Sequence, residues 1–135
     1  MIKVLKESEV APNVPEAISS GRWYLFCPGC YEAAKAKVPD NPNWWIYSAL
    51  HCFSDSVHRF DGNVETPTLS PSLLVSHVDH ETQNRYCCHS FVYGGLMEFL
   101  HDCTHPLAGQ TVPLLDAQLF LNAENAKRSP QNTSR

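Results

Sequence analysis

The sequence predicts a small α+β domain, mostly β, in which antiparallel strands and one or two short helices surround a zinc knuckle. Three observations predict it. A Cys27-Pro28-Gly29-Cys30 turn follows an aromatic, apolar segment suited to a buried strand. Gly94-Gly95 joins two apolar segments as a hairpin, because both central residues of a type I′ turn need positive φ. Six Cys and seven His stand among only 135 residues.

The elements follow in order. Residues 1–6 alternate Ile2 and Val4 with Lys3 and Lys6, an edge-strand pattern blurred by Leu5. Residues 13–20 read as a short helix, with Asn13 as N-cap, Pro15 in the first turn and Gly21 at the end. Residues 22–27 (RWYLFC) form a strand running into the CxxC turn, where Gly29 supplies positive φ. Residues 31–37 make two turns of helix before Pro39-Asp40-Asn41-Pro42 breaks it. Residues 45–53 suit a strand, and 58–60 a brief one before Asp61-Gly62. The Pro-punctuated stretch 66–72 is extended and leads into a strand over 73–78, with a polar loop at 79–84. Residues 85–93 and 96–101 are the hairpin arms, and 111–115 add a last strand. The expected division is one zinc-stabilised domain over 1–121 and a flexible tail over 122–135.

A chain of 135 residues leaves roughly 7,100 Å² exposed when folded against roughly 22,000 Å² unfolded, enough burial for one self-sufficient core. At 43% hydrophobic and 18% charged the composition is that of a folded globule. No apolar run approaches a membrane span, and residues 1–10 lack a secretion signal, so the expected location is the cytoplasm. Ten Lys+Arg against 14 Asp+Glu give a net charge of −4, which disfavours direct nucleic-acid binding.

The CxxC turn places two thiolates on one side of a knuckle, the spacing of a structural zinc site. A redox CxxC would need a thioredoxin-like βαβ frame, which the element order does not supply; a disulfide scaffold would need secretion. Two further ligands are sought in Cys87-Cys88-His89 and in His101-Asp102-Cys103-Thr104-His105. If Tyr93 pairs with Leu96, Cys88 faces His101, and alternation puts Cys88, His101 and Cys103 on one face, opposite Cys87, His89, Leu100 and Asp102. The expected set is Cys27, Cys30, Cys88 and Cys103, a closed four-cysteine site binding Zn2+. His105, His89 and His51 form the second rank; a one-residue bulge would bring in His89. His51-Cys52 reads first as core, His77-Val78-Asp79-His80 as a solvated patch, Cys87 as a packed thiol, and Trp23, Trp44 and Trp45 as core filler.

Little in the sequence speaks for catalysis. No His-x-Glu precedes the CxxC as in zinc deaminases, and there is no HExxH, P-loop or G-x-S-x-G. Catalysis would require an open three-ligand metal with a bound water near His105, His89 or Asp102.

Cys27-Pro28-Gly29-Cys30, Arg59-Phe60-Asp61-Gly62-Asn63 with Pro67-Thr68-Leu69-Ser70-Pro71-Ser72, Cys88-His89-Ser90-Phe91-Val92, and DCTHPLAGQTV over residues 102–112 together resemble a family of short phage and prophage proteins of unknown function. Some members carry the name "ammonia monooxygenase", although nothing here resembles a membrane copper enzyme. The resemblance spans residues 22–115, and DCTHPLAGQTV is its most specific block. It marks Cys27, Cys30, Cys88, His89 and His105, allows Ser at Cys103, and implies His51 as the counterpart of a His that soon follows the CxxC. It implies a phage-encoded accessory protein inside the host cell, and no reaction.

The leading expectation is a zinc-stabilised protein that binds a host protein or complex with a basic surface, inhibiting a host defence or nucleic-acid-targeting complex. Asp55, Asp61, Glu65, Asp79 and Glu81 lie where such a partner could reach them, although each reads first as ordinary solvated surface. The alternative is a small zinc-dependent hydrolase or nucleic-acid-processing enzyme. A third reading is a zinc-ribbon-like nucleic-acid binder using Arg22, Lys35, Lys37 and Lys127-Arg128.

Overall fold

A computed structural model describes residues 1–10 and 21–124. The helix expected over 13–20 and most of the expected tail, with Lys127 and Arg128, lie outside the described residues. Element by element the chain runs β1 (Val4–Lys6), α1 (Glu7–Val10), β2 (Arg22–Phe26), α2 (Pro28–Lys37), α3 (Pro42–Ser48), β3 (Leu50–Ser54), β4 (Arg59–Phe60), β5 (Leu69–Ser70), β6 (Leu73–Val78), β7 (Arg85–Tyr93), β8 (Leu96–Phe99) and β9 (Thr111–Pro113). A last helix, α4, covers residues 118–124 and so takes in the first three positions of the expected tail. The fold is α+β and mostly β, with three antiparallel sheets ordered β1-β2-β3, β4-β5 and β6-β7-β8-β9.

Two local expectations change. The strand expected over 45–53 divides into α3 and β3, because Asn41 acts as an N-cap: its side chain accepts the Trp44 N–H at 3.2 Å, and Pro42 takes the first helical position. The stretch read as a breaker thus ends one helix and starts another. Trp45 then donates from its indole to the Val38 carbonyl at 2.7 Å and meets Tyr31 edge-on, docking α3 against α2. The second change concerns Gly29. It lies inside α2 and does not take positive φ, unlike Gly94 and Gly95 at the hairpin, with φ of 56° and 81°.

The main core gathers residues from all three sheets, among them Val4, Leu25, Phe53, Leu69, Leu73, Val92, Met97 and Phe99. A smaller cluster of Leu5, Phe26, Ala117 and Phe120 lies beneath α4. Strand alternation decides what enters the main core. On β7 the side chains of Cys88, Ser90 and Val92 are buried while Phe91 and Tyr93 are exposed. On β3 His51 is buried opposite Leu25. These two strands carry the buried site from opposite sheets.

Candidate metal centre

Cys27 is both the end of a strand and the cap of a helix. Its N–H donates to Ala49 at 2.8 Å, continuing the β2–β3 ladder, while its sulfur accepts the Cys30 N–H at 3.4 Å as N-cap of α2. Pro28 begins the helix, so the two sulfurs sit at its positive end, where negative charge is stabilised. Lys35 and Lys37 complement the dipole in the last turn.

β3 delivers the third group. Cys27 lies two residues beyond Leu25 on the inward face, and His51 stands opposite Leu25 in the ladder. The His51 ring donates from Nδ1 to the Leu50 carbonyl at 3.0 Å and holds Nε2 3.4 Å from Cys30 Sγ. A carbonyl can only accept, so this contact fixes the tautomer and leaves Nε2 to face the sulfurs. β7 delivers the fourth group, Cys88, whose Sγ is 3.6 Å from that of Cys27.

The donor atoms of Cys27, Cys30, His51 and Cys88 all lie within 4.8 Å of one another. A tetrahedron with metal–sulfur bonds of about 2.3 Å has S···S edges of about 3.8 Å and S···N edges of about 3.6 Å. The contacts of 3.6 and 3.4 Å match such edges and are far longer than the ~2.05 Å of a disulfide. Soft sulfurs and an imidazole on tetrahedral edges are a donor set for a metal ion.

The groups of the cluster also perturb one another's protonation strongly. For His51 burial opposes charge, but hydrogen bonds and charges from Cys27 and Cys30 outweigh it and push its pKa up to about 10. Hydrogen bonding from Cys27, then Cys88, pulls Cys30 far below the ordinary thiol range. Cys88, hydrogen-bonded with Cys27 and Cys30 and buried, is driven well above it. Cys30 is thus drawn toward the thiolate and Cys88 held as the thiol, and a divalent cation bound among them would favour the thiolate form of its ligands.

The other expected ligands fall in distinct places. The hairpin register matches the expected one from Tyr93↔Leu96 through Val92↔Met97 to Ser90↔Phe99. It stops there, because β8 ends at Phe99 and the chain turns, with Leu100 donating to His89 and Cys103 to Leu100. Cys88 does not face His101 across a ladder. Cys103 returns by this turn: its thiol donates to the His89 carbonyl at 3.1 Å and its sulfur receives the His89 N–H at 3.2 Å. It groups with Cys88 and His105, a second set that shares Cys88 with the knuckle set. His105 is buried against Phe99; its Nδ1 accepts from the Leu107 N–H, and its Nε2 has no hydrogen-bond partner. Burial pulls its pKa down. His89 points outward, away from the sulfurs.

The remaining residues divide in the same way. His77 stacks on Tyr86. Among the acidic residues expected to meet a partner, Asp55, Asp61 and Asp79 accept hydrogen bonds that shape their own surroundings, from Trp23, from Asn63 and Thr68, and from Glu81.

A role for Gly29 emerges that the sequence did not disclose. A Cβ there would overlap the His105 ring, so the missing side chain lets His105 reach the knuckle. A cleft of about 540 Å³ adjoins the centre, lined by Cys30, His51, Cys88 and His105 and by Trp44 and Val75 among others.

The chain matches no family model, no curated protein and no solved structure. Functional inference rests on this geometry. No helix among the described residues is long and apolar enough to cross a membrane.

Proposed function

We propose that this chain is a zinc protein whose Cys27, Cys30, His51 and Cys88 form a closed structural site, and that it acts by binding another protein. The observation that carries the zinc reading is the mutual approach of three sulfurs and one imidazole within 4.8 Å. Zinc suits it because a d¹⁰ ion accepts tetrahedral geometry and thiolate ligands without redox chemistry. The centre links β2, α2 and β3 to β7 across the core, so metal binding would add to folding free energy directly.

The binding role follows the resemblance to phage proteins. The partner would be a host protein or complex with a basic surface, such as a defence or nucleic-acid-targeting assembly, met in the host cytoplasm. The outer face of β6 and β7 supports it, since Leu74, Val78, Phe91 and Tyr93 are exposed there.

A second reading, a small zinc-dependent hydrolase, is favoured by the cleft beside the centre. It requires one of the four protein ligands to give way to water.

Elemental analysis of the purified chain tests the first statement, with one zinc per chain expected and the melting temperature falling in chelator. A metal-free protein indifferent to chelator would overturn it. Absorption of the cobalt-substituted protein separates four protein ligands from three plus water. Capture from host lysate, with the partner then reconstituted from purified components, tests the binding role; failure to reconstitute any complex removes it.

A further inference from the structure

On the outer face of the four-stranded sheet, the Ser72 hydroxyl lies 3.0 Å from His89 Nε2, and His89 Nδ1 lies 3.2 Å from Asp102 Oδ2. The Asp102 carboxylate can only accept, so Nδ1 carries the proton and donates it. With the proton on Nδ1, the lone pair lies on Nε2, and Ser72 Oγ donates to it. This is the hydrogen-bond order of a nucleophile, a general base and an orienting carboxylate, an arrangement recognised by geometry and not by sequence order.

Each member is held by its surroundings. Buried His58 donates from Nε2 to the Ser72 carbonyl at 3.2 Å. The His89 backbone is fixed on both sides, its carbonyl accepting from Leu100 and from the Cys103 thiol, its N–H donating to the Cys103 sulfur. Asp102 sits in the turn that Cys103 closes onto Leu100. The site is nevertheless open: the side chains of His89 and Asp102 are 26% and 58% exposed. Leu74, opposite His89 in the ladder, and Phe91, the next outward residue of β7, are exposed beside it.

We propose that Ser72 and His89, oriented by Asp102, form a nucleophilic site that cleaves carboxylic esters with an apolar acyl group. Ser72 Oγ forms a bond to the ester carbonyl carbon while its proton passes to His89 Nε2. The ester C–O bond then breaks, and the alcohol leaves with the proton from His89. Water, giving a proton to His89, attacks the acyl-Ser72 carbon; the acid departs and the proton returns to Ser72. Leu74 and Phe91 would receive the acyl chain. Ser72 and His89 are the catalytic residues and Asp102 is a positioning residue. None of this depends on zinc, because His89 and Cys88 point to opposite faces of β7.

The test uses the full-length purified protein, an alkyl fluorophosphonate probe and p-nitrophenyl butanoate. The expected result is one adduct per chain, mapped to Ser72, together with ester hydrolysis. Ser72→Ala abolishes both, and His89→Gln slows labelling by about 100-fold. Asp102→Asn slows it about tenfold or more, with partial rescue by Asp102→Glu, which a merely structural role would not produce. Melting temperature and metal content accompany each variant. No adduct, an adduct on another residue, or equal hydrolysis by folded Ser72→Ala would overturn the proposal. Should Ser72→Ala fail to fold, unchanged labelling in Asp102→Asn, altered only at an exposed turn, overturns it equally.

Discussion

Cys88 and His89 are neighbours in β7, yet the strand turns one into the core and the other into water, and the two sides hold polar groups together by different means. Inside, three sulfurs and an imidazole converge in a largely buried cluster, where a bound cation would hold them together far more strongly than their own hydrogen bonds. Outside, Ser72, His89 and Asp102 form a hydrogen-bonded chain that water can replace at little cost. The inner group is therefore tied to stability, while the outer one can change with little effect on the fold. One residue of register in β7 would exchange these roles.

The largest contrast comes from substituting each neighbour. Cys88→Ser should release the metal and remove much of a binding free energy that reaches about 10 kcal/mol in structural zinc sites, leaving the chain unfolded or barely folded. His89→Gln should keep both metal and melting temperature. Elemental analysis and thermal unfolding of the pair decide it, and loss of metal in both variants would break the distinction. Gly29→Ala comes next: its methyl group must displace the His105 ring, at about 1–3 kcal/mol, measured by urea unfolding.

Acid sharpens the inner side further. Burial lowers the His105 pKa in the folded chain, so its contribution to stability is present above the unfolded value of about 6.5 and lost as pH falls through it toward the folded value. The urea midpoint should fall between about pH 7 and about pH 5, and less steeply in His105→Gln. The smallest effects belong outside. Leu74→Ser and Phe91→Ser should change stability by about 0.5 kcal/mol or less, while weakening any ester hydrolysis with apolar acyl groups.

Much of the frame was legible because it rests on local rules. Gly94-Gly95 announced the hairpin and its register, and the apolar segments announced β2, β6 and β7. The CxxC spacing announced a knuckle because its two donors are close in the chain. The helix α3 was obscured by treating Asn41-Pro42 solely as a stop, when an N-cap followed by proline is also a start. His51 could be placed by alternation on a buried strand, but its approach to Cys30 depends on the β2–β3 register, which no turn signal fixes. The turn after Phe99 was hidden for a similar reason: side-chain bonds from Cys103 to the His89 backbone replace the ladder there. The chain of Ser72, His89 and Asp102 has no sequence motif, since its members come from a loop, a strand and a turn brought together by the β6–β7 pairing and by the turn that follows β8. The outward position of His89 was the available clue.

The separation of 61 positions from Cys27 to Cys88 also orders events in time. At about 5–20 residues per second, a ribosome would deliver Cys88 about 3–12 s after Cys27. Cys27, Cys30 and His51 are all made before it, so with zinc as the bound ion the nascent chain would pass through a three-ligand stage that could exchange its metal. Closure of the proposed site would wait for β7 to dock, which would make the fourth sulfur a report that the second half of the protein has arrived.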